Sequence, residues 1–153
     1  MVQEYTDRCY IPAGLRRNAL RADKRKRSCA LAEWKQRIQA QWPQVAITRV
    51  ESGPSENLPV GTSLAITAEL RLGELTSADV TVEVYYGQLS ADGQIVDGVC
   101  SEMTHVAGDG NNPHRFEGSI KCNQTGQLGF TVRVLPSHED LAQKHETALI
   151  AWA

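Results

Sequence analysis

The chain has 153 residues, a net charge of -2, 41% hydrophobic residues and 22% charged ones. That length suits one domain with a core of ordinary size, and no apolar run approaches the ~20 residues that span a bilayer. The start, MVQEYTDRCY, is not a secretory signal, so the sequence points to a soluble, cytoplasmic protein without a membrane partner.

Residues 1–14 read as an extended lead-in, with Pro12 and Gly14 near its end. Leu15, Ala19 and Ala22 then open a helical stretch, as one helix or two, that runs to Pro43. Within it Leu31, Trp34, Ile38 and Trp42 recur at three and four residues, which puts them on one stripe. Proline cannot continue the backbone hydrogen bonds, so Pro43 ends the helix. Trp34 and Trp42 have the chemistry of sugar-stacking platforms, but tryptophans at this spacing are more often core.

The same stretch is strongly basic. Residues 1–50 hold 11 basic and 4 acidic side chains, and residues 51–153 hold 5 and 14. The run Lys24, Arg25, Lys26, Arg27 is of the kind that meets nucleic acid or an acidic surface. No aromatic residue is interleaved with it, and neither a zinc finger nor a strand-borne aromatic motif follows. A solvated helix face, or a seam against a larger acidic partner, is therefore preferred to nucleic acid.

After Pro43 the hydrophobic period changes from helical to two, the spacing of a half-buried strand. Val45, Ile47 and Val50 suggest a first strand, followed by a loop from Glu51 to Pro59. Leu64, Ile66, Ala68 and Leu70 line the next strand, and Val80, Val82 and Val84 another, with Thr81, Glu83 and Tyr85 facing away. Asp92-Gly93 is a favoured hairpin turn. Val99, Ser101 and Met103 suggest a further strand, and Gly108 to Pro113 a polar loop. Phe116, Gly118 and Ile120 alternate with Glu117, Ser119 and Lys121. Beyond Gly126, Phe130, Val132 and Val134 should point between two sheets, with Thr131, Arg133 and Leu135 opposite. A last strand near Thr147 to Trp152 brings the count to about seven. The expected fold is mainly β: an Ig-like antiparallel β-sandwich over residues 44–153, with a helical segment at 15–43 packed on it.

Nothing in this pattern supplies chemistry. The histidines at 105, 114, 138 and 145 form no close metal motif, and Cys9, Cys29, Cys100 and Cys122 lack paired spacing. Four reduced thiols are expected, although a Cys100–Cys122 bridge between neighbouring strands would be feasible in an oxidising compartment. His138-Glu139-Asp140 follows Pro136 and reads as a surface turn. The glycines Gly126 and Gly129 lack the strand–loop–helix context of a phosphate cradle. Asp79 and Glu83 are not placed by any pocket signature. No catalytic residue, cofactor site or metal site is expected in this chain.

Several segments nevertheless resemble one family. Leu31 to Lys35 (LAEWK) with Trp42-Pro43, Leu72 to Val80 (LGELTSADV), Val82 to Gly87 (VEVYYG), Arg115 to Gly118 (RFEG), Gly129 to Pro136 (GFTVRVLP) and the terminal Trp152-Ala153 are similar, in order and spacing, to the C-terminal region of bacterial α-glucan (glycogen/starch) phosphorylases. The resemblance implies a catalytic body outside this chain. That body would carry pyridoxal phosphate on a lysine and release α-glucose 1-phosphate from the non-reducing end of α-1,4-glucan by phosphorolysis. No family active-site residue has a counterpart here, so this chain is expected to be a non-catalytic accessory domain. Residues 1–14 would then lead out of the body, and Met1 would mark an expression boundary or a separately encoded remnant. Arg25, Lys26, Arg27 and Arg133 are candidate contacts to that body in cis. Two other functions remain open: a glucan-binding module using Tyr85, Tyr86 and Trp152, or an Ig-like protein-interaction domain unrelated to glucan.

Overall fold

Eight strands with alternating burial make two facing antiparallel sheets in the computed structural model, which describes residues 3, 6–54, 59–108, 113–123 and 126–153. They are β1 (Ala46–Ser52), β2 (Ser63–Arg71), β3 (Val80–Leu89), β4 (Ile95–Glu102), β5 (Thr104–Ala107), β6 (His114–Lys121), β7 (Leu128–Pro136) and β8 (Ala151–Trp152). One sheet runs β1-β2-β6-β5 and the other β4-β3-β7-β8. The first order, in which β6 and β5 follow β1 and β2 across the sheet, is that of the A-B-E-D sheet of an Ig-like sandwich. The middles of the loops after Glu51, Gly108 and Asn123 lie outside the described residues.

The core is made where the inward phases meet. Leu64, Ile66, Ala68 and Leu70 of β2 and Phe116 and Ile120 of β6 join one cluster with Val82 and Val84 of β3 and Val132 and Val134 of β7. Burying each larger side chain contributes roughly 1.5–3 kcal/mol, and this cluster is the main favourable term in the fold. Gly118 shares the inward phase of β6 because Met103 lies there: an added Cβ would meet Met103 Cγ at 2.9 Å.

Eight strands stand where about seven were expected, because the run through Val99, Ser101 and Met103 divides. β4 pairs with β3 in one sheet, while β5 pairs with β6 in the other. Met103 sits at the crossing, buried, its amide donating to Val82 O at 2.8 Å. The last strand is shorter than expected, only Ala151–Trp152. Ala148 just before it has a left-handed φ of 55°, which extended backbone does not tolerate.

The lead-in also differs. The chain is helical by Thr6–Tyr10, a turn of π-helix, and continues as helix α1 (Ile11–Arg21) instead of extending to Gly14. Pro12 falls in the first turn of α1, where its missing N–H is no loss. Lys24 and Arg25, both left-handed, break the path before helix α2 (Lys26–Gln41). The helical stretch is thus two helices.

Leu31, Trp34 and Ile38 are the buried residues of α2 and join the sandwich core, with Trp42 just beyond. None of the described side chains of α1 is buried. On β7 the expected phase holds for Val132 and Val134, but Phe130 is only half-buried and Leu135 is fully buried. Leu135 lies at the strand end where α2 docks beside Asp79 and His138.

Candidate functional site

Three groups of side chains draw the functional elements together. The first centres on Asp79, which ends the short turn Ser77–Asp79 and makes a reciprocal capping box with Thr76. The Trp34 indole N–H donates to Asp79 Oδ1 at 2.9 Å, and Arg37 Nη2 donates to the same oxygen at 2.7 Å. Burial alone would raise this carboxyl, but the bonds from Thr76 and Trp34 and the charge of Arg37 outweigh it and hold the pKa low. The Trp34 ring also packs on His138, with centroids 4.8 Å apart. Asp79 therefore ties α2 to the sandwich.

The second group pairs the basic helices with the acidic loop between β7 and β8. Arg16 donates to the Asp140 carbonyl at 3.0 and 2.8 Å and to the Glu146 carboxylate. Arg27 meets the Asp140 carboxylate at 2.6 Å and Glu139 at 3.3 Å, and Lys35 meets Glu146 at 2.7 Å. The Lys35 bond, helped by Ala142 N–H and Arg16, holds Glu146 down to about 2 against a smaller effect of burial. Much of the charge imbalance between the two ends of the chain is answered within the chain itself.

The third group crosses the outer face of the β4-β3-β7-β8 sheet. Glu83 is only 3% exposed although it lies on the outward phase of β3. It accepts two bonds from Arg133, at 2.9 and 2.7 Å, and another from Lys144. Burial would raise the Glu83 carboxyl; the bonds from Lys144 and Arg133 overcome it and lower the pKa. The Arg133 guanidinium sits 5.8 Å from the Tyr85 ring centre and 5.6 Å from that of Trp152, within cation–π range. The two rings meet edge to face, 6.1 Å apart at 75°.

Tyr85, Trp152 and Arg133 are thus brought together. Tyr86, one residue along β3, takes the opposite phase, packs against the core and lines a separate cleft of ≈ 310 Å³ with Val99 and Leu128. Arg25, Lys26 and Arg27 are exposed on the helical segment, far in sequence from Arg133, and Arg27 is engaged by Asp140. Asp79 and Glu83, which sequence reasoning left without a role, are the anchors of two of the three groups. Acidic residues flanking an apolar strand were the available signal, but their cationic partners lie more than 40 residues away.

These carboxylates are ionised and enclosed by cations. A general acid needs the reverse, a carboxyl held protonated near neutral pH; the arrangement builds joints. His105 and His114 stand with ring nitrogens 3.3 Å apart across β5 and β6. Among the described residues no group of three or more His, Cys, Asp or Glu side chains is placed to hold a metal ion. The four cysteines are free thiols. Pyridoxal phosphate needs an enclosed lysine, and the lysines here do not fit. Lys35 and Lys144 are bonded to carboxylates, and Lys24, Lys26 and Lys121 are exposed. No helix among the described residues is long and apolar enough to cross a membrane.

Comparison with known proteins bears on this geometry. The family described as the glycogen phosphorylase C-terminal domain matches residues 42–153, from the end of α2 through the whole sandwich. Glycogen phosphorylase of Mycobacterium tuberculosis (strain CDC 1551 / Oshkosh) is 31% identical over 154 residues, covering 100% of this chain and 18% of that protein. Glycogen phosphorylase of Mycobacterium bovis is 30% identical with the same coverage. Maltodextrin phosphorylase of Thermococcus litoralis is 31% identical over 160 residues, again 18% of its length. The chain spans under a fifth of the length of these relatives.

Proposed function

Because the chain belongs to the glycogen phosphorylase C-terminal domain family, we propose that it is the non-catalytic accessory end of an α-glucan phosphorylase. Its role is to stabilise and position a catalytic body to which it is joined in cis. That body would carry pyridoxal phosphate and perform the phosphorolysis of α-1,4-glucan to glucose 1-phosphate, in the cytoplasm. The observation that carries this reading is the match across residues 42–153. It agrees with buried carboxylates that are all neutralised by cations and with lysines unsuited to the cofactor.

The helical segment is the proposed contact to the body. Residues before 42 fall outside the family match but inside the similarity to the full-length relatives. There α1 exposes Ile11 at 50% and Leu15 at 67%, next to Tyr10 at 73%. Large apolar side chains grouped on one exposed helix suit a protein interface, and Arg25, Lys26 and Arg27 put positive charge elsewhere on the same helical segment.

Truncation of a relative tests the reading. The Mycobacterium tuberculosis enzyme without the matched C-terminal stretch should lose thermal stability. Its folded, cofactor-loaded fraction should still form glucose 1-phosphate from maltodextrin. A truncated enzyme that folds and holds pyridoxal phosphate but has no turnover would assign the chain a catalytic part and overturn the proposal.

A further inference from the structure

We propose that the outer face of the β4-β3-β7-β8 sheet is a binding site for an α-1,4-linked glucan chain, with the Tyr85 and Trp152 rings as its two walls and Arg133 between them. The class of sugar rests on the phosphorylase reading above; the site itself rests on geometry.

The two outer faces of the sandwich differ in kind. That of the β1-β2-β6-β5 sheet is an ordinary solvated surface of Arg49, Glu51, Arg115, Glu117 and Lys121, with ion pairs along its strands. The opposite outer face carries an aromatic–cation–aromatic band running across three strands. Trp152 is 48% exposed there, while Trp34 and Trp42 are buried. An exposed tryptophan beside a half-exposed tyrosine needs a reason, since such rings have one apolar face to cover and a polar edge to satisfy.

A glucose ring offers the complementary surface: an apolar C–H face for an aromatic wall and a rim of hydroxyls for hydrogen bonding. Both walls are fixed before any ligand arrives. Tyr85 lies over Gly98 of β4, where an added Cβ would stand 2.2 Å from its Cζ, so only glycine permits this ring position. Trp152 is held by pairing of β8 with β7, opposite Arg133 in register. Arg133 is held by Glu83, and its Nη2 also reaches Cys100 Sγ at 2.9 Å. Groups held in place in this way lose little freedom on binding.

The angle between the walls chooses the linkage. Rings at 75° form a corner. Successive glucoses of an α-1,4 chain turn relative to one another and can lay one C–H face on each wall. A β-1,4 chain is a flat ribbon and can cover only one. Thr131, opposite Tyr85 in register, and the half-exposed Lys144 side chain, whose ammonium is bonded to Glu83, add polar groups at the sides. Tyr86 takes no part, because it faces the other way.

The 153-residue chain titrated with maltoheptaose tests the site, read by tryptophan fluorescence and by calorimetry. Saturable binding at about millimolar sugar is expected, with the fluorescence change arising from Trp152 because the other tryptophans are buried. Trp152→Ala and Tyr85→Ala should each weaken binding by about tenfold or more, and cellohexaose should bind the native chain weaker by a similar factor. Tyr86→Phe should leave affinity unchanged. Trp152 is exposed on a two-residue strand, so its variant should keep the native denaturation midpoint. Trp152→Phe, which retains a ring, should recover part of the affinity if folding is disturbed. Absence of saturable binding, undiminished binding by both alanine variants, or equal binding of cellohexaose would overturn the proposal. If sugar does not bind and these rings are instead protected from chemical labelling in a longer phosphorylase, the face belongs to domain docking. None of these outcomes touches the accessory role, which is tested by turnover and not by sugar binding.

Discussion

Trp34 is the side chain whose removal should cost the domain most. It fills the space between α2 and the sandwich at 8% exposure, packs at a tilt against the His138 ring and donates to Asp79. Replacing a buried tryptophan by alanine removes transfer energy and leaves a cavity, together about 3–5 kcal/mol. Trp34→Phe separates the two contributions, since the ring is largely kept and the N–H is lost. A hydrogen bond to a charged acceptor is worth about 1.5–3 kcal/mol, and Arg37 and Thr76 still hold the carboxylate, so about 2 kcal/mol is expected. Both variants can be followed by far-ultraviolet circular dichroism in urea, which does not depend on the deleted fluorophore. The free-energy loss should rank alanine above phenylalanine above native. A loss under about 1 kcal/mol for Trp34→Ala would place α2 outside the cooperative unit, and with it the idea that the helical segment and sandwich fold together.

Acid should loosen the joints. Asp79, Glu83 and Glu146 have lowered native pKa values, so their contribution is complete above the ordinary carboxylate range and is lost as pH falls through the native values. For Glu146 the window runs from about 4.5 down to about 2. The urea midpoint should drop across it, less steeply in Glu146→Gln; a flat midpoint would show that the pairs are screened by solvent. Arg133→Ala should cost about 2–3 kcal/mol, because it strips two of the bonds from the enclosed Glu83. Half-buried Phe130→Ala should cost about 2 kcal/mol, below the usual range for a fully enclosed ring. A Glu83→Gln/Arg133→Ala double-mutant cycle should give a coupling above about 1 kcal/mol, and a value near zero would mean the pair contributes nothing to the fold.

Alternation along β7 assigns Phe130 to an inner face and Arg133 to an outer one. The alternation was legible because packing against the opposite sheet depends on residues two apart. The importance of Arg133 was not, because it comes from Glu83, 50 residues away, and Lys144, which no local period connects. The same holds for Arg16, Arg27 and Lys35. Their positive surplus is visible in the sequence, but its partners on the loop before β8 are more than 100 residues distant, so the sequence offers a solvated helix face or a seam against an external acidic partner instead. The junction of Trp34 with Asp79 was half legible: helical spacing marked the tryptophan as core, while its polar partner needed the fold. Of the three aromatic residues singled out for sugar contact, period two already required that Tyr85 and Tyr86 face opposite ways. Only the pairing of β8 with β7 selects Tyr85 to stand beside Trp152.

The most direct measurement is a phosphorolysis assay on the 153-residue chain supplied with pyridoxal phosphate, inorganic phosphate and maltodextrin. An accessory domain whose buried carboxylates Asp79, Glu83 and Asp140 are bound by cations and whose lysines do not fit the cofactor should form no glucose 1-phosphate above a protein-free control. Reproducible turnover that follows the purified chain, and disappears when it is unfolded, would contradict the non-catalytic reading outright.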